Sequence, residues 1–488
     1  MKMIFVGIYP KLLPLPQTIK MADMKRLNTI ALLFALLISF QTFAQKEDYV
    51  WVCGPSRIDF NTDPPTVSYN GDFNYSPNLS DVCDYNGELI YWINGDKLYN
   101  KNNEVIYEIK NFNFSYMNEC LPIIPFPNSK DKYIFSCFKW KDIYFYVIDG
   151  TEDALHPTIY EYDRLSFSYW SGCCMPVQKK NSRDFWLLFD DLENIKIYSF
   201  TEDGLHPHYV YTKPYFDTVI YGSNDLDYYS VSPDNSIILG RVIAFENENL
   251  YFNIAFDNEL GFIKELYPTF AKWDEIYPFV FSSQAKYLYF TIWDKGVVGH
   301  LNPDSKNEEN QNIYRCPVDK LLEENSLMKY RELVYTCTSG SVKSMKLAPD
   351  GNIYLILEGQ DDYLGVIKNS EGEHPEVEEQ RFKLYSQSQH PGNYPASFPH
   401  TYHFPYNISY NKKCDYVEFS FSDNYKAKSF LWDFGDGSAT SSQQNPSHTY
   451  PEGKFKAQLT VEYDGKPTQN YSLDVKIQKP KAPKIVCE

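Results

Sequence analysis

At 488 residues the chain exceeds the roughly 250 to 300 at which a single hydrophobic core stops growing, so at least two domains are expected. Aromatic residues make up 17% of it, with 42 Tyr and 33 Phe, a composition that suits the half-buried pleated surface of a sheet and points to an all-β protein. The formal charge of -18 argues against nucleic acid and anionic membrane surfaces as partners, because an acidic field repels both.

Residues 1–44 read as an over-long start followed by a secretory signal peptide. Met24-Lys25-Arg26 opens a basic segment, Ile30 to Phe40 is apolar, and Ala44 offers a small residue for cleavage before Gln45. Met24 is the expected start and Gln45 the expected mature N-terminus. The early cations Lys2, Lys11, Lys20, Lys25 and Arg26 stand against Asp23 alone, so the exported part is more acidic still. Neither this apolar run nor any later one approaches the roughly 20 residues of a transmembrane helix, and the expected location is periplasmic, cell-surface or extracellular. All ten cysteines follow the cleavage point, where disulfides persist, and structural disulfides or buried thiols are expected. Cys173-Cys174 is a strained choice for a bridge, and no CxxC pair or HExxH spacing suggests zinc.

From about Tyr49 to Pro405 the chain repeats. Thr151-Glu152-Asp153-Ala154-Leu155-His156-Pro157 recurs 50 residues later as Thr201-Glu202-Asp203-Gly204-Leu205-His206-Pro207. Each copy lies between a strand (Tyr144 to Ile148, Ile195 to Phe200) and a Tyr-rich strand (Thr158 to Tyr162, His208 to Tyr211). A second marker, a polar turn feeding an aromatic or β-branched strand, places Asp84, Asp131, Asp184, Asp234, Gln284 and Asp350 at spacings of 47, 53, 50, 50 and 66. The last gap holds Val318 to Arg331, whose composition is helical. Several short strands per 50-residue period is what a β-propeller blade requires, since each sheet buries its faces only against its neighbours. Six markers plus one blade closed from both ends predict about seven blades, the last joining a strand near Tyr49 to Cys53 with strands near Ser397 to Tyr410.

His156 and His206 occupy equivalent places in two repeats. They could line one face and share a metal or ligand, yet a repeated turn accounts for them without one, so they stand only as candidate binding residues.

Near the C-terminus, Trp432 lies in an alternating strand, Gly435-Asp436-Gly437 tolerates positive φ, and Phe455, Ala457, Leu459 and Val461 alternate with polar residues. The pattern predicts an immunoglobulin-type sandwich with Trp432 in its core and Tyr450 as its tyrosine corner. Asp433 and Asp436 could form an acid-base pair. In a Gly-flanked turn, however, such side chains bond local N–H groups, so both are expected to be structural and Asp436→Asn to cost little. The clustered oxygens would suit calcium, though EF-hand spacing is missing and no cofactor is expected.

WDFGDGS, NPSHTYPEGKF and the strand after them resemble a polycystic-kidney-disease (PKD) repeat domain over about Lys412 to Lys479, leaving 480–488 as a tail. The resemblance makes Trp432, Asp433, Gly435, Asp436, Gly437, Tyr450 and Gly453 structural. MKLAPDGNIYLILEG, Tyr363 to Ile367 and FPHTYHF at Phe398 to Phe404 resemble the secreted Bacteroidetes propeller proteins with a PKD module, often called gliding-motility-associated or type IX secretion substrates.

No GxSxG elbow, phosphate-cradling Gly loop, HExxH or sialidase Asp-box is present. No catalytic, cofactor or metal residue is assigned. The expected function is binding or adhesion outside the cell, with the propeller as platform for a glycan or protein and the PKD module as spacer or second contact. The alternative is a carbohydrate-active hydrolase or lyase, which acids with perturbed ionisation around a deep central pocket would favour.

Overall fold

A computed structural model describes residues 48–477, apart from 74–78, 85, 110–121, 128, 130, 140–141, 167–173, 181–182, 192–193, 213–225, 244–247, 273, 295–310, 339, 358–361, 386–406, 414, 423–426 and 464–467. The signal-peptide and cleavage readings, the tail and most of the expected closing strands therefore lie outside the described residues. Seven antiparallel sheets follow one another along the chain. Blade 1 has three described strands, Val50–Cys53, Ser56–Asp59 and Thr66–Tyr69. Blades 2 to 7 have four each, opening with Leu79–Cys83, Ile124–Pro125, Cys174–Gln178, Leu226–Val231, Asp274–Phe281 and Val342–Leu347.

Burial orders the strands within a blade. The first strands of blades 2 and 4 are buried at every residue, whereas Thr158–Ser166, the fourth strand of blade 3, has no buried residue. Apolar side chains on both faces of each sheet pack against the next sheet. Val82, Tyr91 and Ile93 of blade 2 meet Tyr133 and Phe135 of blade 3. Val177, Trp186 and Leu188 of blade 4 meet Ile238, Phe252 and Ile254 of blade 5. The series ends where Tyr354, Ile356 and Val366 of blade 7 pack on Trp51, Ile58 and Phe60 of blade 1. The last sheet thus packs on the first, and the ring is a seven-bladed propeller.

The two sequence markers are the two kinds of turn that hold this ring. The polar turns at Asp84, Asp131, Asp184, Asp234, Gln284 and Asp350 all connect the first strand of a blade to its second. Several need a left-handed residue, supplied by Gly87, Asn235, Ala285 and Gly351. The T-E-D turns connect third to fourth strands, and the first of them reaches back to the preceding blade: the Ala154 and Leu155 carbonyls accept from Tyr91 Oη (3.0 Å) and Asn100 Nδ2 (2.9 Å) of blade 2. Blade 5 repeats the device on blade 4, where Asn258 O accepts from Trp186 Nε1 at 3.0 Å. In blade 7 the carbonyls of Gly372 and Glu373 accept from the Arg315 guanidinium of blade 6 at 2.6 and 3.1 Å. The helical stretch of blade 6 is a 3₁₀ turn, Val318–Lys320, and a short helix, Ser326–Lys329, inserted at this same turn and anchored to blade 5 by Asn325 N–H on Pro268 O at 2.9 Å.

Beyond blade 7 the chain returns to blade 1. Tyr385 N–H donates to Ser56 Oγ at 2.8 Å. Of the segment expected to close the ring, Asn407 to Tyr410 belongs instead to the first strand of the sandwich, Asn407–Lys413, which starts ahead of the expected Lys412. That strand pairs with Tyr416–Ser422 and then Ser447–Thr449, and the facing sheet is Ala427–Asp433, Gly453–Tyr463 and Gln469–Ile477. Between them lies a core containing Trp432, Phe419, Phe421, Ala457, Leu459 and Val461. Among the described residues, Cys53, Cys83, Cys137, Cys174, Cys316 and Cys337 are all buried, and Cys53, Cys83, Cys316 and Cys337 are free thiols. Burial pushes the Cys316 and Cys337 thiols up to about 12, so these are inert packing groups.

Candidate functional site

The clustered acids of the sandwich are built into its turns. Asp433 Oδ1 accepts Gly435 N–H at 2.9 Å, and Asp436 Oδ1 accepts Ser438 N–H at 3.0 Å and Ser438 Oγ–H at 2.6 Å. Asp436 Oδ2 lies 2.7 Å from His448 Nε2, and Ser438 Oγ lies 3.3 Å from the same nitrogen. Asp, His and Ser are thus together, but not as a nucleophilic triad. A carboxylate only accepts, so Nε2 carries the proton it shares with Asp436. The Ser438 hydroxyl also donates to Asp436, which leaves no basic nitrogen to activate it. The imidazole is stacked on Phe434 at 4.1 Å and 1°, with Tyr450 edge-on at 4.6 Å. Tyr450 Oη donates to Phe434 O at 3.0 Å, and burial pushes its phenol above the ordinary range. These contacts tie the Gly435–Ser438 turn to the strand that carries His448. His448 is the member that sequence reasoning missed, although its place in NPSHTY was in view.

The two turn glycines separate cleanly. Both have positive φ, 74° at Gly435 and 79° at Gly437. A Cβ on Gly435 would overlap the Lys456 carbonyl oxygen, whereas on Gly437 it would meet nothing within 4 Å. Gly435→Ala is expected to cost about 3 kcal/mol or more through clash plus strain, and Gly437→Ala about 1 kcal/mol from the left-handed backbone alone. Urea unfolding of the two variants checks this; equal midpoints would contradict it. Gly453 opens the strand Gly453–Tyr463.

His156 and His206 sit on the third-to-fourth-strand hairpins of blades 3 and 4, both exposed. His156 Nδ1 is 3.1 Å from Asp153 Oδ2 of its own turn. His206 is paired across from Ser199, beside Gly204. No group of three or more His, Cys, Asp or Glu able to hold a metal occurs among the described residues. The repeat has a mechanical cause in the first copy, whose carbonyls bind blade 2.

Two features were not legible beforehand. One is a buried acid, Asp81, on the first strand of blade 2, which is 1% exposed. Burial pushes its carboxyl up to about 7 despite nearby Lys346. The other is a pair of exposed rings. Tyr69, ending the third described strand of blade 1, and Tyr385, just past blade 7, are 51% and 43% exposed, with centroids 5.6 Å apart and planes at 59°. Tyr69 Oη donates to Asp72 Oδ1 at 2.7 Å, so an acidic acceptor lies beside the rings. Their positions are 316 apart in the sequence, and only ring closure joins them.

The PKD domain family matches residues 410–477. Among solved structures, the PKD1 domain of Vibrio anguillarum Epp is similar at 25% identity, covering 15% of this chain and 93% of its own, with a TM-score of 0.14. A protein from Lactobacillus plantarum is 8% identical over 72% of this chain and 99% of its own, with a TM-score of 0.42. A putative 6-phosphogluconolactonase from Bacteroides fragilis is 12% identical over 80% of this chain and 92% of its own, with a TM-score of 0.35. No curated protein matches the chain. The chain is a propeller followed by a PKD sandwich, the ring being read from its own sheets and seams.

Proposed function

We propose that the mature chain is an exported, non-catalytic binding protein whose propeller is the platform for a glycan, or for a protein, at the cell exterior, with the PKD sandwich as spacer or second contact. Export and the Bacteroidetes gliding-motility or type IX setting implied by the sequence resemblance belong to this proposal. The observation that carries it is the Tyr69–Tyr385 pair. Two large rings left half exposed and splayed at 59° offer apolar faces to the C–H side of a sugar, with Asp72 at hand to accept from a hydroxyl. The exposed His156 and His206 are secondary candidate contacts on neighbouring blades.

The hydrolase reading has less support. Glycoside cleavage takes two carboxylates flanking a reachable bond, and among the described residues the acid whose ionisation burial suppresses, Asp81, is 1% exposed and bonded to a neighbouring strand. A glycan array run beside a polysaccharide-depolymerisation assay tests the proposal. Binding without release of reducing ends is expected. Tyr69→Ala/Tyr385→Ala should weaken it roughly tenfold or more, as loss of ring contacts of about 1 kcal/mol each implies. Turnover of any polysaccharide would overturn the non-catalytic reading.

A further inference from the structure

We infer that blade 1 is held in the ring by a buried charge joint contributed by blades 2 and 7, a built-in opening point whose firmness follows pH. Asp81 Oδ2 accepts Val52 N–H of blade 1 at 2.6 Å, and Cys83 of the same strand approaches Val50 O at 4.0 Å, so the two strands lie side by side. The second carboxylate oxygen, Oδ1, is buried without a hydrogen-bond partner among the described residues. From the other side, Lys346 of blade 7 sets its ammonium 5.0 Å from the centre of the Trp51 ring of blade 1. The joint thus spans three blades at the place where the ring closes.

At three other places in the ring a neutral group meets the same need, although Glu371 and Glu379 of blade 7 also accept the Gln284 and Thr338 N–H groups at 2.6 and 2.7 Å. A backbone N–H at a seam donates to Ser80 Oγ between blades 2 and 3, to Tyr251 Oη between blades 5 and 6, and to Gln311 Oε1 between blades 6 and 7, at 2.9, 2.6 and 2.5 Å. Hydroxyls and amides keep their charge state across the neutral range. A carboxylate facing an ammonium does not, and holding charge is expensive at the buried Asp81 and less so at the half-buried Lys346.

The groups facing Asp81 are Lys346, Asp48, Arg57, Cys53 and Cys83, and those facing Lys346 are Asp81, Asp48 and Cys53. Burial pushes Asp81 up to about 7 and Lys346 down to about 8. A raised acid disfavours the folded joint increasingly as pH climbs from its ordinary value to about 7. A lowered lysine disfavours it increasingly as pH falls from its ordinary value to about 8. The two penalties overlap around neutrality, so the joint is loosest there and firms on either side.

Hydrogen exchange of the full chain, corrected for intrinsic rates and followed by peptide mass spectrometry, tests this at about pH 5, 7.5 and 9.5, chosen to bracket both shifts. Protection of residues 50–59 relative to 185–201 in blade 4 should pass through a minimum near neutrality. Asp81→Asn and Lys346→Met should each lower it about tenfold or more at neutral pH, because each removes an opposite charge that its partner faces. The double variant should recover much of the loss and show no minimum. If a single variant fails to fold, the wild-type profile still decides. Protection at 50–59 that tracks blade 4 at every pH, or a double variant as weak as the two singles combined, overturns the joint.

Discussion

Trp432→Ala should lower the stability of the sandwich by about 3 to 5 kcal/mol, most of what a domain with roughly 5 to 15 kcal/mol can lose and remain folded. The indole is 0% exposed and lies 4.9 Å from the Phe419 ring, inside a core that both sheets share. Its removal leaves a cavity in the middle of that core and takes away the Nε1–H that Gln444 O accepts at 3.2 Å. The backbone of residue 432, paired with Ser441 at 2.7 and 3.0 Å, would then be held by those two bonds against a void. Asp433→Asn is the control. Its side chain is exposed and its single bond to Gly435 N–H is one an Asn oxygen can accept, so less than about 1 kcal/mol is expected. Exchange protection of 407–477 under increasing urea separates the two, and a Trp432→Ala chain that keeps wild-type protection there would remove Trp432 from the core's centre.

What could be read from the sequence was whatever a local pattern encodes. The 50-residue period survives in the chain because each turn repeats the same job: Asp84 and its counterparts reverse the first strand, and the T-E-D turn of blade 3 hands carbonyls to blade 2. The alternation of Ala457, Leu459 and Val461 marks one buried face of a strand in the same local way. Ring closure and the functional candidates are non-local. Tyr69 meets Tyr385 and Asp81 comes near Lys346 only after seven sheets have stacked in order, and no spacing rule links residues so far apart. The boundary before the sandwich was blurred for another reason. Asn407 to Tyr410 has the apolar and aromatic content of any strand, and only its pairing with Tyr416–Ser422 assigns it to the second domain.

Asp436→Asn should cost the sandwich roughly 1.5 to 3 kcal/mol at neutral pH, the range for hydrogen bonds to a charged group, where the sequence alone predicted little effect. The side chain is 7% exposed, and its partners His448 and Ser438 close around it. Burial alone would raise this carboxyl, but the bonds from His448 and Ser438 outweigh it and hold the group at about 2. The sign follows from that depression. Above the ordinary aspartate range both folded and unfolded forms are ionised, and the full contribution is present. As pH falls toward about 2 the unfolded chain takes up the proton first, and the contribution is lost. The gap between wild type and Asp436→Asn should therefore be constant from about pH 5 upward and shrink steadily between about pH 4 and 2. His448→Ala should open a similar gap and add the loss of the ring stacked on Phe434. A catalytic acid would behave the other way, with wild-type unfolding midpoints and activity down by orders of magnitude. Urea midpoints for the three chains across that pH range decide it: a gap that persists undiminished at about pH 2 would mean that Asp436 acts through shape alone, and the carboxylate–imidazole bond would then contribute nothing.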